Sequence, residues 1–184
     1  MRILLYSLLV VAVDQLTKLF VKGFSFPFSH KGFSNGQVFS IIENRLNLTF
    51  VENPGIAFGM YFGPVFKILS AVVSLLIVAG MIYYIYLIKD DKFIKKLSFA
   101  LIAGGALGNL IDRIFYGVVY NYAAFFYGRV VDFIDIRLNY FPGSFVCNIA
   151  DIAVFCGLLL LLSEPFQKRK VHVSMPIEVV SNKP

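Results

Sequence analysis

The chain has 184 residues, no tryptophan, two cysteines, two histidines and only 15% charged side chains. Each scarcity removes a class of protein. With 58% hydrophobic residues and a mean hydropathy of +0.76, it is too apolar for an ordinary soluble domain. Without tryptophan, any interfacial aromatic belt has to come from the 10 tyrosines. Cys147 and Cys156 both fall in the last apolar run. If that run is one helix, they stand roughly 13 Å apart along it and cannot bridge each other. Neither has a metal-ligand partner at useful spacing, so both read as small apolar packers. His30 and His172 fall on opposite sides of the membrane in the topology below. No Ser-His or Cys-His pair, H-E-x-x-H or Gly-x-Gly-Asp motif is available, which leaves carboxylates to do any chemistry.

Four apolar runs are present, at about residues 3–21, 65–88, 97–115 and 145–162. Each is near the roughly 20 residues that a helix needs to cross about 30 Å of hydrocarbon. Asp14 and Lys18 interrupt the first run and no A-x-A-like site follows it, so a retained helix is expected rather than a cleaved signal. It also lacks a lipobox-type cysteine. The net charge of +6 sits largely in two clusters beside apolar runs: four Lys in Lys89–Lys96, and a tail beginning Gln167-Lys168-Arg169-Lys170. That placement points to a membrane surface and not to nucleic acid. It puts both clusters, and both termini, in the cytoplasm. The expected fold is membrane all-α: a four-helix bundle with a small extracytoplasmic β element and an interfacial insert. One domain would cover residues 1–166, followed by a basic tail at 167–184. Leu46-Asn47-Leu48-Thr49-Phe50-Val51 alternates like a strand and runs into the turn signal Glu52-Asn53-Pro54-Gly55. Val130 to Leu138 is a second strand candidate.

In this topology the polar residues of the spans gather at one depth, the extracytoplasmic interface. Asp14 and Lys18 lie four apart on one face of the first helix. Asn109, Asp112 and Arg113 share a face at the outer end of the third. Asn148 and Asp151 stand at the mouth of the fourth, and Asn53 lies in an outer loop. Ionisable groups in membrane spans are costly and suggest function. Small residues from Ala103 to Gly108 allow close helix packing.

The strand pattern chooses among the outer carboxylates. In Val130–Leu138, Asp132 falls on the face of Ile134, Ile136 and Leu138. Asp135 falls on the other face with Arg137 and reads as a solvated pair. A carboxylate on an apolar face is accounted for by a second one nearby with which it shares a proton, and Asp151 is the natural mate. Two other readings stay open. One is a metal-dependent membrane enzyme acting on lipid head groups, with Asp132 and Asp135 as ligands. The other is a carrier or channel, although the inner halves of the helices offer few polar groups.

At these residues the sequence resembles lipoprotein signal peptidase, the type II signal peptidase of bacteria. The similar segments are Asp14-Gln15-Leu16-Thr17-Lys18, Asn53-Pro54-Gly55-Ile56-Ala57-Phe58-Gly59, Gly104 to Arg113, Val130-Val131-Asp132-Phe133 and Asn148-Ile149-Ala150-Asp151. The resemblance implies an aspartic endopeptidase of the bacterial inner membrane, without metal or other cofactor. It implies cleavage of diacylglyceryl-modified prolipoproteins before the lipidated cysteine, and sensitivity to globomycin-type inhibitors. Asp132 and Asp151 would be catalytic. Asn53, Asn109, Arg113 and Asn148 would bind substrate or brace the pair, with Asp14, Lys18 and Asp112 in support. A monomer among membrane lipids is expected. The sequence departs from the family at an enlarged, aromatic insert at about 116–129, read as an interfacial flap or a passive loop. It departs again at Cys147, where the family usually has Phe.

Overall fold

The computed structural model describes residues 2–25, 28–43, 45–55, 63–137 and 144–163. Helix α1 (Leu4–Lys22) leads into a short hairpin, β1 (Gly23–Phe24) and β2 (His30–Lys31). Strands β3 (Val38–Ile42) and β4 (Leu46–Asn53) follow, then α2 (Pro64–Leu87) and α3 (Phe93–Ile111). The third helix continues through a π turn (Asp112–Tyr116) and one more helical turn, α4 (Gly117–Val119). Strands β5 (Val130–Arg137) and β6 (Ser144–Cys147) precede α5 (Ile149–Ser163).

Among the described residues, three helices are long and apolar enough to cross a membrane: α1, α2 and the continuous run Phe93–Val119. The apolar α5 has 15 residues. Their outward faces carry exposed leucine, valine and phenylalanine, as lipid contact requires. Helix α3 is the centre of the bundle, packed against α1, α2 and α5. Glycine makes that possible. A Cβ at Gly104 would come within 2.8 Å of the Ser7 carbonyl on α1, and one at Gly105 would collide with the Ala150 carbonyl on α5.

Beside the bundle stands an antiparallel sheet in the order β3-β4-β5-β6. A register shift between Leu48 and Val51 bulges β4, after which Val51 faces Asp132 and Asn53 faces Val130. Val21, Phe50, Tyr116, Val131 and Phe133 form the core that joins sheet to bundle.

A helix lies at each of the four apolar runs, and two of them differ in bounds from expectation. The third helix starts at Phe93, four residues earlier than expected, because Lys95 and Lys96 are compatible with a helix and Lys95 pairs with Asp91 one turn back (2.8 Å). The last helix starts at Ile149, not near residue 145. Phe145, Val146 and Cys147 are apolar enough for a helix, but they pair with Ile136, Asp135 and Ile134 as strand β6. Cys147 and Cys156 therefore lie on different elements. Cys147 is buried, Cys156 is exposed, and both are free. The β content exceeds expectation, since β1, β2 and β3 carry no clear alternation. Leu138 and the tail at 167–184 lie outside the described residues.

Candidate active site

The last helix opens on a reciprocal cap. Asn148 Oδ1 accepts from the Asp151 amide (3.0 Å), and Asp151 Oδ2 accepts from the Asn148 amide (3.1 Å). The cap fixes Asp151 at a helix N-terminus, where negative charge is favoured. The Asn148 side chain then reaches the sheet. Its Nδ2 donates to Asp132 Oδ1 at 2.7 Å, with longer contacts to Asn109 Oδ1 (3.1 Å) and the Val131 carbonyl (3.3 Å). One asparagine thus touches both carboxylates expected to act together. Asn109 Nδ2 donates to Asp151 Oδ1 (2.9 Å), and Asn53 Nδ2 donates to Asp132 Oδ2 (3.2 Å).

Behind this layer lies a buried ion cluster. Lys18 is fully enclosed, and its ammonium has three donors. They meet Asp14 Oδ2 (2.8 Å), Asp112 Oδ2 (2.8 Å) and Asn109 Oδ1 (2.9 Å). Each carboxylate of the cluster also holds one backbone amide. Asp112 Oδ2 accepts from Val131 N (3.2 Å), one residue before Asp132. Asp14 Oδ1 accepts from Ala150 N (3.0 Å), one residue before Asp151. Lys18 therefore ties together the two backbones that carry Asp132 and Asp151.

Gln15 completes the cluster and is a residue that the sequence argument passed over. Its Nε2 donates to Asp112 Oδ1 (2.9 Å) and its Oε1 accepts from Tyr116 OH (3.1 Å). Its place in the segment Asp14 to Lys18 was the only hint. Lys22 and Arg129 were also missed, and Glu52 was read only as part of a turn and as a carboxylate further away. Glu52 pairs with Lys22 and, at 3.1 Å, with Arg129.

Asp132, Asp151, Asn53, Asn109 and Arg113 line an open pocket of 580 Å³. Val51, Val130, Val146, Val154, Phe155 and Leu158 supply its apolar wall. At the start of the π turn, Asp112 is buried in the bundle and Arg113 lines the pocket. Burial and then the negative charge of Asp151 push Asp132 up from an ordinary 3.8 to about 7, against hydrogen bonds from Asn53 and Asn148. Burial likewise pushes the Cys147 thiol up to about 11, as befits a packing residue.

Every expected site residue reaches this cluster or the pocket, but Asp135 departs from its expected solvated state. It is 3% exposed, accepting from Asn47 Nδ2 (3.0 Å) and Arg137 Nε (3.3 Å) on the sheet face away from Asp132. Asp132 and Asp135 do not converge as a ligand pair. The residues 116–129 are also pinned rather than free-standing. Tyr120 OH donates to the Gly23 carbonyl (2.9 Å), and the Gly128 amide donates to the Arg113 carbonyl (2.9 Å).

The chain is similar to known proteins over most of its length. Residues 6–167 match the family described as Signal peptidase (SPase) II. The lipoprotein signal peptidase of Syntrophomonas wolfei is 39% identical over 155 residues, spanning 84% of this chain and 86% of that protein. That of Moorella thermoacetica is 36% identical over 163 residues, spanning 88% and 90%. A solved bacterial membrane enzyme superposes with a TM-score of 0.65 at 27% identity, across 91% of this chain and 94% of the other. With its apolar helices, its small sheets and this kinship, the chain is a multi-pass membrane peptidase and belongs to the signal peptidase II family.

Proposed function

We propose that the protein is an aspartic endopeptidase that removes the signal peptide of diacylglyceryl-modified prolipoproteins, cutting before the lipidated cysteine. The observation that carries this reading is the meeting of Asp132 and Asp151 on the Asn148 side chain and amide, inside a pocket with an apolar wall.

Asp132, with its raised affinity for a proton, is the acid. Asp151, at the N-terminus of α5 and accepting from the Asn109 side-chain amide and the Asn148 backbone amide, is the base. Asp151 takes a proton from water as the water oxygen bonds to the scissile carbonyl carbon. Asp132 gives its proton to the carbonyl oxygen, and a gem-diol forms. Asp151 then protonates the amide nitrogen, the C–N bond breaks, and Asp132 recovers a proton from the diol. Both carboxyls end as they began, and no metal enters the cycle.

Arg113, on the pocket wall, offers its guanidinium to substrate oxygens. Phe155 and Leu158, 62% and 45% exposed on α5, lead from Asp151 toward the lipid and suit acyl chains or the signal helix. Helix α5 is read as the fourth span of a single domain, residues 1–166, acting as a monomer. The lysine-rich turn at the far end of α2 and α3 is placed in the cytoplasm with both termini, and the site at the outer face. Globomycin-type cyclic peptides would occupy the same pocket.

The test is cleavage of a purified diacylglyceryl-prolipoprotein in detergent. The wild type is expected to cut with chelator present, and Asp132→Asn and Asp151→Asn to cut not at all. Full activity in either variant, or loss on chelation, would overturn the reading.

A further inference from the structure

Asp132 is held from two sides. Asn148 takes Oδ1 and is itself braced by the Lys18 cluster. Asn53 takes Oδ2 from the last residue of β4. What steadies that strand end lies one residue back. Glu52 uses both carboxylate oxygens, Oε1 on Lys22 Nζ and Oε2 on Arg129 Nη1. Lys22 stands one helical turn beyond Lys18 on the same face of α1, so one helix face serves both supports. The Lys22 ammonium lies 4.3 Å from the Tyr120 ring centre and 5.1 Å from that of Tyr122. The Lys22 and Glu52 side chains are only 8% and 15% exposed, a setting in which an ion pair is less screened than at a surface.

We infer that Glu52, clamped between Lys22 of α1 and Arg129 of the insert, is a positioning residue that holds Asn53 in hydrogen-bond reach of Asp132. The inference rests on the reading of Asp132 as a reacting carboxyl. Glu52 sits in β4 opposite Val131, the neighbour of Asp132, so the clamp sets the strand end that presents Asn53. The insert thereby gains a role: it delivers Arg129 and the rings of Tyr120 and Tyr122 to the clamp, and works as a fixed wall rather than a lid.

The test is a double-mutant cycle under single-turnover and steady-state conditions, with Glu52→Gln, Asn53→Ala and their combination. Glu52→Gln is expected to lower kcat about tenfold, the scale of a slightly misplaced reacting group, with KM changed less than about twofold. In the Asn53→Ala background it should lower the rate no further, because the path through Asn53 is already cut. Glu52→Asp, which keeps the charge, should recover part of the loss. Lys22→Gln opens the clamp from the other end and serves the same cycle should Glu52→Gln not fold. A rise in KM with kcat intact would make Glu52 a substrate contact and overturn the inference. Full additivity with Asn53→Ala would overturn it too. Asp132→Asn, run alongside, separates the two claims: if that variant still cleaves, the underlying reading fails whatever Glu52 does.

Discussion

At the scale of single residues, the site depends on unequal surroundings for two carboxyls. Asp132 is 5% exposed and lies near the charge of Asp151, so it holds a proton up to about pH 7. Turnover should therefore fall as pH rises through about 7, read from the pH profile of kcat. Stability moves in the same direction. The folded chain binds this proton more tightly than the unfolded chain does. The contribution is full below the unfolded value of 3.8 and is lost progressively up to about 7. Thermal melting of the wild type should thus worsen across that window, and Asp132→Asn should melt with a flatter pH dependence. Asn148→Ala removes both the helix cap and the contact to Asp132. It should cost about 1 kcal/mol of stability through the cap alone. It should also cost about 100-fold in kcat, the scale of misplacing a reacting group, measured on the same substrate. Alternation along β5 was enough to set Asp132 apart from Asp135. It was not enough to tell that Asp135 is buried, because alternation reports the face and not what covers it. The Asn47 amide that meets Asp135 comes from β4, and no pattern within β5 announces it.

At the scale of elements, α1 acts as a brace. Asp14, Lys18 and Lys22 recur at four-residue intervals, and their contacts reach the π turn, α5 and β4. Lys18→Met leaves two enclosed carboxylates without their cation. It should cost about 3–5 kcal/mol of stability, measured by unfolding in detergent. Gly105→Ala sets a methyl group against the Ala150 carbonyl and must push α5 off α3. That shift separates Asn109 from Asp151, so kcat should fall while Lys18 keeps its partners. Long apolar runs made the helices legible from composition. The start of α5 was not, since Phe145, Val146 and Cys147 suit helix and strand alike, and only pairing with β5 decides. The π turn that begins at Asp112 had no signature either.

At the scale of the whole molecule, apolar helices, a basic turn and a polar cluster are arranged along one axis. The basic turn at Lys89 and Lys92 lies at the end of α2 opposite Pro64. Orientation can be measured directly in a background with Cys147 and Cys156 replaced by alanine. In intact cells, Ser34→Cys should react with a membrane-impermeant thiol reagent and Asp90→Cys should not. The reverse pattern would invert the topology. The long helices were legible because hydrophobic length is a property of whole segments. The convergence of Asp14, Lys18, Asn109, Asp112, Asn148 and Asp151 followed from depth alone. Their actual partners depended on which helices touch, and that was fixed by glycines whose neighbours the sequence does not name.

The central claim is that Asp132 and Asp151 share one site and one proton. Infrared difference spectroscopy of wild type against Asp132→Asn measures it most directly. The account predicts a protonated carboxyl band in the wild type at neutral pH that titrates away near pH 7 and is absent from the variant. A wild type without such a band, or a band unchanged in Asp132→Asn, would contradict it.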